Sequence, residues 1–116
     1  MYDENNVFAK IIRKEIPATI VYEDDMTLAF HDVTPKAPVH LLVIPKGAYI
    51  DYEDFVTKAT MAEVAGFFSS INKITHQLGL QEYRLINNRG QSAGQSVFHF
   101  HIHVLGGKEM KELDHI

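Results

Sequence analysis

Residues 97–105 read VFHFHIHVL, and the strict alternation of apolar residue and histidine from Phe98 to Val104 narrows the possible folds more than any other feature of the chain. A period of two does not fit a helix, where like residues recur three and four positions apart; it fits an extended strand. On such a strand His99, His101 and His103 point one way and Phe98, Phe100, Ile102 and Val104 the other, which makes the apolar row the expected core face. The imidazoles are then expected in a row about 7 Å apart, too far for neighbours to hydrogen-bond but within the span of one ligand.

Three uses of the row compete. It can be the wet face of an amphipathic strand, although histidine has no special preference for strands. It can bind metal, but residues two apart on a straight strand converge poorly, and no carboxylate lies in the segment. It can handle phosphate. The loop before it, NNRGQSAGQS, carries Gly90 and Gly94, the small residues Ser92, Ala93 and Ser96, and the amides Asn87, Asn88, Gln91 and Gln95. Such a loop lets backbone N–H groups close on an anion and adds side-chain donors.

The rest of the chain sets the frame. A length of 116 residues suits one domain, 1–116, with a core of its own. A formal charge of -4 leaves no basic stripe for a nucleic-acid backbone, so nucleic acid is not an expected partner. The absence of cysteine removes disulfides, thiolate chemistry and Cys-ligated zinc. The start, MYDENNVFAK, is acidic rather than a targeting signal. No stretch approaches the roughly 18 apolar residues of a membrane span, so no membrane contact is expected and the expected location is cytoplasmic.

Asn5 or Asn6 can cap a short helix through VFAKIIRKE, which Pro17 ends. TIVYEDDMTLAFHD suggests an antiparallel hairpin turning at Glu23, Asp24 and Asp25, and HLLVIPKG a strand covered on both faces and central in its sheet. Residues 60–80 carry a helical period through Met61, Val64, Phe67, Phe68, Ile71, Ile74 and Leu78, with Thr60 and Glu63 as a capping box and Gly79 as a stop. YRLIN is a further strand, His76 a solvated residue of the last helical turn, and the tail KEMKELDHI a loosely held end. The class is α+β, without βαβ repetition.

HFHIHVL fits the His-φ-His-φ-His-φ-φ signature of the histidine triad (HIT) family, where φ is apolar. GQSVFHFHIHVLGG together with AFHDVTPKAPVHLLVIPKG resembles its Hint branch of nucleotide hydrolases, and the similarity runs from VFAKIIRKEIPA to GGKEM. The resemblance implies an antiparallel five-stranded sheet with one long and one short helix, in a two-fold homodimer that joins two sheets into one. It also implies hydrolysis of the P–N bond of purine nucleoside 5'-phosphoramidates, and of aminoacyl-adenylates, without cofactor or metal.

Residue by residue, the resemblance makes His101 the nucleophile, with its second ring nitrogen donating to the backbone carbonyl of His99. His103 and Ser96 become phosphate donors, with Asn88 and the backbone at Gly94 and Gln95 as further contacts. His40 joins the triad network and, with His99, relays protons. Asp32 takes the ribose hydroxyls, and Phe8, Ile11, Ile16, Phe30, His31 and Val33 enclose the base. Without the resemblance the apolar members read as core and Asp32 as a turn residue.

Two alternatives stand beside this reading: a dinucleoside polyphosphate hydrolase of the Fhit type, and a nucleotide-binding or interaction module with weak turnover. The chain also departs from the pattern. Many members open the first helix with Cys-x-x-Cys, part of a zinc site completed by two histidines, where this chain has Asn6 and Ala9. The tail lacks the tryptophan and prolines of animal Hint proteins, which leaves the preferred amine open.

Overall fold

The computed structural model describes residues 1–111. Strand β1 (Ile20–Glu23) turns into β2 (Thr27–His31), and β3 (Val39–Pro45) follows after the proline-broken loop. Helix α1 (Val7–Ile12) precedes the sheet, helices α2 (Tyr52–Lys58) and α3 (Met61–Gln77) follow β3, and β4 (Tyr83–Ile86) and β5 (Ile102–Gly106) complete it. The order across the sheet is β1-β2-β3-β5-β4, with every neighbouring pair antiparallel. This is the expected α+β architecture with a five-stranded sheet and a central third strand.

The hairpin turns where Asp24 accepts from the backbone N–H groups of Met26 and Thr27, as aspartate does when it closes a turn. Helix α3 starts at the expected capping box: Thr60 accepts from the Glu63 N–H while the Glu63 carboxylate reaches back to the Thr60 N–H. It ends at Gln77 with Leu78 as its C-cap, followed by Gly79 at φ 65°, a conformation that glycine adopts without steric cost. No helix among the described residues is long and apolar enough to cross a membrane.

Alternation along β3 sends Leu41 and Val43 to one face and Leu42 and Ile44 to the other, and all four are buried. The first face packs under α2 and α3, where Phe55, Phe67, Ile71, Ile74, Phe100 and Val104 meet. The second packs against α1 through Phe8, Ile11, Leu28 and Phe30. His40 has the parity of Leu42, so it stands on the α1 face at the upper end of that smaller core.

Three expectations need correcting. The helices are not one long and one short: α2 is an additional helix, capped by the Asp51 side chain on the Asp54 N–H and anchored by buried Phe55. The histidine strand does not begin at residue 97, because regular pairing starts at Ile102 opposite Val43. Before that point the Phe100 N–H bonds to Tyr49 O and the Pro45 carbonyl accepts from the His99 ring, so the chain bends instead of extending the ladder. Phe98 is consequently 41% exposed and not a core residue, whereas Phe100, Ile102 and Val104 keep the predicted face. Of the tail expected to be loose, residues 112–116 lie outside the described residues.

Candidate active site

A cleft of about 430 Å³ opens on the α1 face of the sheet, where the ends of β2, β3 and β5 meet α1 and the loop after β4. Its apolar wall is Phe8, Ile11, Ile16, Phe30 and Leu42, with Phe8 and Phe30 packed edge to face at 5.4 Å. Its polar end holds Asp32, His40, His101, His103, Ser96 and Lys36. The His101 and His103 ring centroids are 5.1 Å apart, closer than the expected 7 Å or so.

The tautomers follow from what each partner can do. A carbonyl only accepts, so His101 Nδ1 carries the proton it gives to His99 O at 2.7 Å. In the neutral ring Nε2 is then a bare lone pair, with no hydrogen-bond partner among the described residues, on a side chain that lines the cleft. The Lys36 N–H only donates, so His40 Nδ1 accepts it at 3.0 Å and His40 Nε2 carries the proton. That N–H donates to His103 Nδ1 at 2.9 Å, which leaves the His103 proton on Nε2 as a donor. His40 and His103 are diagonal neighbours across β3 and β5, close enough for side chains of this length to meet.

Burial shapes the charges. Desolvation is the main cause that pulls His99 and His103 down to about 4, and it also lowers His101 and His40. The Asp32 carboxylate, 3.3 Å from His40 Nε2, works in the opposite direction but does not outweigh burial. All four rings are therefore neutral at pH 7.

Asp32, His40 and His103 each offer a ligand atom within 4.8 Å of the others, which raises the question of a metal. The two rings meet nitrogen to nitrogen with centroids 5.2 Å apart, so their lone-pair axes oppose one another along a hydrogen bond. Metal ligands must instead converge on a common point. The family's zinc corner fits no better: the Asn6 side chain is spent capping α1, and Ala9 has no ligand atom. Both nitrogens of His99 are engaged, Nδ1 by Tyr2 and Nε2 by Pro45 O. Both of His40's nitrogens are engaged as well, by Lys36 and His103.

The cleft brings together most of the residues expected from the sequence: Phe8, Ile11, Ile16, Phe30, His31, Asp32, Val33, His40, Gly94, Ser96, His101 and His103 all line it. Others stand differently. His99, expected to relay protons with His40, is wholly buried behind the cleft and bonds to Tyr2 and Pro45, while the His40 ring bonds to His103. Gln95 is a brace: its side chain accepts from the Gly90 N–H and donates to Ile50 O and Val97 O. The N–H groups of Gly94 and Gln95, expected at phosphate, close the loop on Gln91 O and Gly90 O. Asn88 does not line the cleft, and Asn87 instead donates to His101 O at 3.0 Å. Lys36, Leu42, Val97, Pro17 and Ala18 line the cleft without having been foreseen.

The fold and the cleft together define a small α+β protein with a neutral, oriented histidine at an open cleft. The HIT domain model matches residues 13–110, and the chain belongs to that family. An uncharacterised HIT-like protein of Rickettsia prowazekii is 54% identical over 112 residues, covering 95% of this chain and 93% of its own. A histidine triad protein from Clostridium difficile superimposes with a TM-score of 0.87 at 41% identity, over 98% of this chain and 100% of its own. A structure described as a HIT family hydrolase from Clostridium thermocellum gives 0.82 at 41% identity, over 96% and 97%.

Proposed function

We propose that the protein is a nucleotide hydrolase that cleaves the P–N bond of purine nucleoside 5'-phosphoramidates through a nucleotidyl intermediate on His101. The observation that carries this reading is the ring of His101, with Nδ1–H held by His99 O at 2.7 Å and Nε2 bare on the cleft. A neutral imidazole so oriented is a nucleophile that needs no further base. Similarity to a protein described as a HIT family hydrolase supports the reaction class.

In the first step the Nε2 lone pair forms a bond to the α-phosphorus as the P–N bond breaks, and the departing nitrogen takes up one proton from solvent. In the second, water attacks the phosphorus, gives up its proton, and releases His101 as neutral imidazole. Splitting one displacement into two lowers the barrier of each. His103 Nε2–H and the Ser96 hydroxyl stabilise charge on the phosphate oxygens, and Asp32 accepts from the ribose hydroxyls. The slot between Phe8, Phe30, Ile11 and Ile16 takes the flat base by apolar contact. The protein works as a homodimer.

Turnover of adenosine 5'-phosphoramidate is to be compared with that of a diadenosine polyphosphate, with chelator present. The proposal predicts AMP release chiefly from the phosphoramidate. Faster cleavage of the polyphosphate favours the Fhit-type reaction, and nucleotide binding without turnover of either favours a binding module.

A further inference from the structure

We propose that Tyr2 is a positioning residue for His101, acting through His99; the inference deepens the reading of His101 as nucleophile. His99 is wholly buried, and its ring is fixed from both sides. Nε2–H donates to Pro45 O at 2.7 Å, which obliges Nδ1 of the neutral ring to accept. The donor is the Tyr2 hydroxyl, 2.6 Å away and 97 residues distant in the chain. The carbonyl of the same residue, His99, receives Nδ1–H of His101 at 2.7 Å. Orientation therefore passes from the phenol to the His99 ring, from that ring to its own backbone, and from the backbone to the nucleophile.

The phenol is itself held. Its ring packs edge-on to His99 with centroids 5.6 Å apart, and the Asn6 side chain stands close enough to act on the hydroxyl. Asn6 is fixed in turn as the N-cap of α1, accepting from the Ala9 N–H and donating to Asp3 O at 2.8 Å. Partial burial raises the Tyr2 pKa, so the hydroxyl keeps its proton and remains a donor at neutral pH. The corner before α1 is organised here by Asn6, Tyr2 and His99. A group that orients a catalytic ring from behind acts on the reacting geometry without touching substrate, and small misplacements of a reacting atom are costly.

Tyr2→Phe removes the hydroxyl and keeps the ring. The expected result is a fall in kcat for adenosine 5'-phosphoramidate of about tenfold to a hundredfold with KM little changed. The 15N signals of the His99 ring should also change, because Nδ1 has lost its donor. Ile74→Ala is the control, a truncation in the core under α3 on the face of the sheet opposite the cleft, expected to lower the melting temperature. Wild-type kcat in Tyr2→Phe overturns the proposal, and so does a loss no greater than the control shows at equal melting temperature. If the wild type turns over no phosphoramidate, the reading of the reaction fails and the 15N spectrum decides the matter of Tyr2. Unchanged His99 and His101 signals in Tyr2→Phe then overturn the inference, and altered ones sustain it.

Discussion

Folding turns histidines that would titrate near neutrality into neutral donors and acceptors. Burial moves His99 and His103 from an ordinary value of 6.5 to about 4. Between those values the unfolded chain binds protons that the folded chain does not, so stability rises with pH across the window. The contribution is complete above 6.5, is lost as pH falls from 6.5 toward 4, and changes no further below that. Calorimetry should show the melting temperature falling as pH is lowered through this window; a midpoint flat from 6.5 to 4 contradicts the account. The sequence displays His99, His101 and His103 through alternation, and the similarity of AFHDVTPKAPVHLLVIPKG to the Hint branch adds Asp32 and His40. It does not display Tyr2, since a phenol 97 residues away carries no local pattern. Nor does it show that Gln95 and Asn87 brace the backbone, because an amide in a glycine-rich loop can serve the loop as readily as a ligand.

Elements are legible in proportion to how many periods they repeat. Helix α3 runs 17 residues with a capping box at one end and glycine at the other, and every one of these signals is visible in the sequence. Helix α2 has 7 residues and a single buried side chain, too few to establish a period. The early end of β5 is hidden for a different reason: alternation fixes which side chains share a face, whereas the Phe100 N–H leaves the ladder for Tyr49 O, a tertiary contact. Phe55 carries α2 into the core, stacked on Phe100 at 4.7 Å and edge-on to Tyr49 and Phe67. Phe55→Ala should cost about 3–5 kcal/mol in denaturant unfolding, the usual range for emptying such a site. A loss below about 1 kcal/mol would show that α2 is not anchored this way.

The whole molecule is a sheet with different work on its two faces, core under α2 and α3 on one and cleft beside α1 on the other. Its edges are β1 and β4. Tyr83 and Leu85 on β4 are exposed, as are Phe68 on α3 and Leu78 at its C-cap, and exposed apolar residues beside the outer edge of a strand suit a second copy of the chain. Sedimentation at micromolar concentration should give a dimer that Leu85→Lys shifts toward monomer, and a monomeric wild type removes the homodimer from the proposal. The central claim concerns one bond, between phosphorus and His101 Nε2. Its most direct test is the intact mass of the protein quenched during turnover of adenosine 5'-phosphoramidate with chelator present, followed by peptide mapping. The account predicts one adenylyl group, located on His101 and absent from His101→Asn, which should also release no AMP. An adduct on another residue, or undiminished AMP release by His101→Asn, contradicts it.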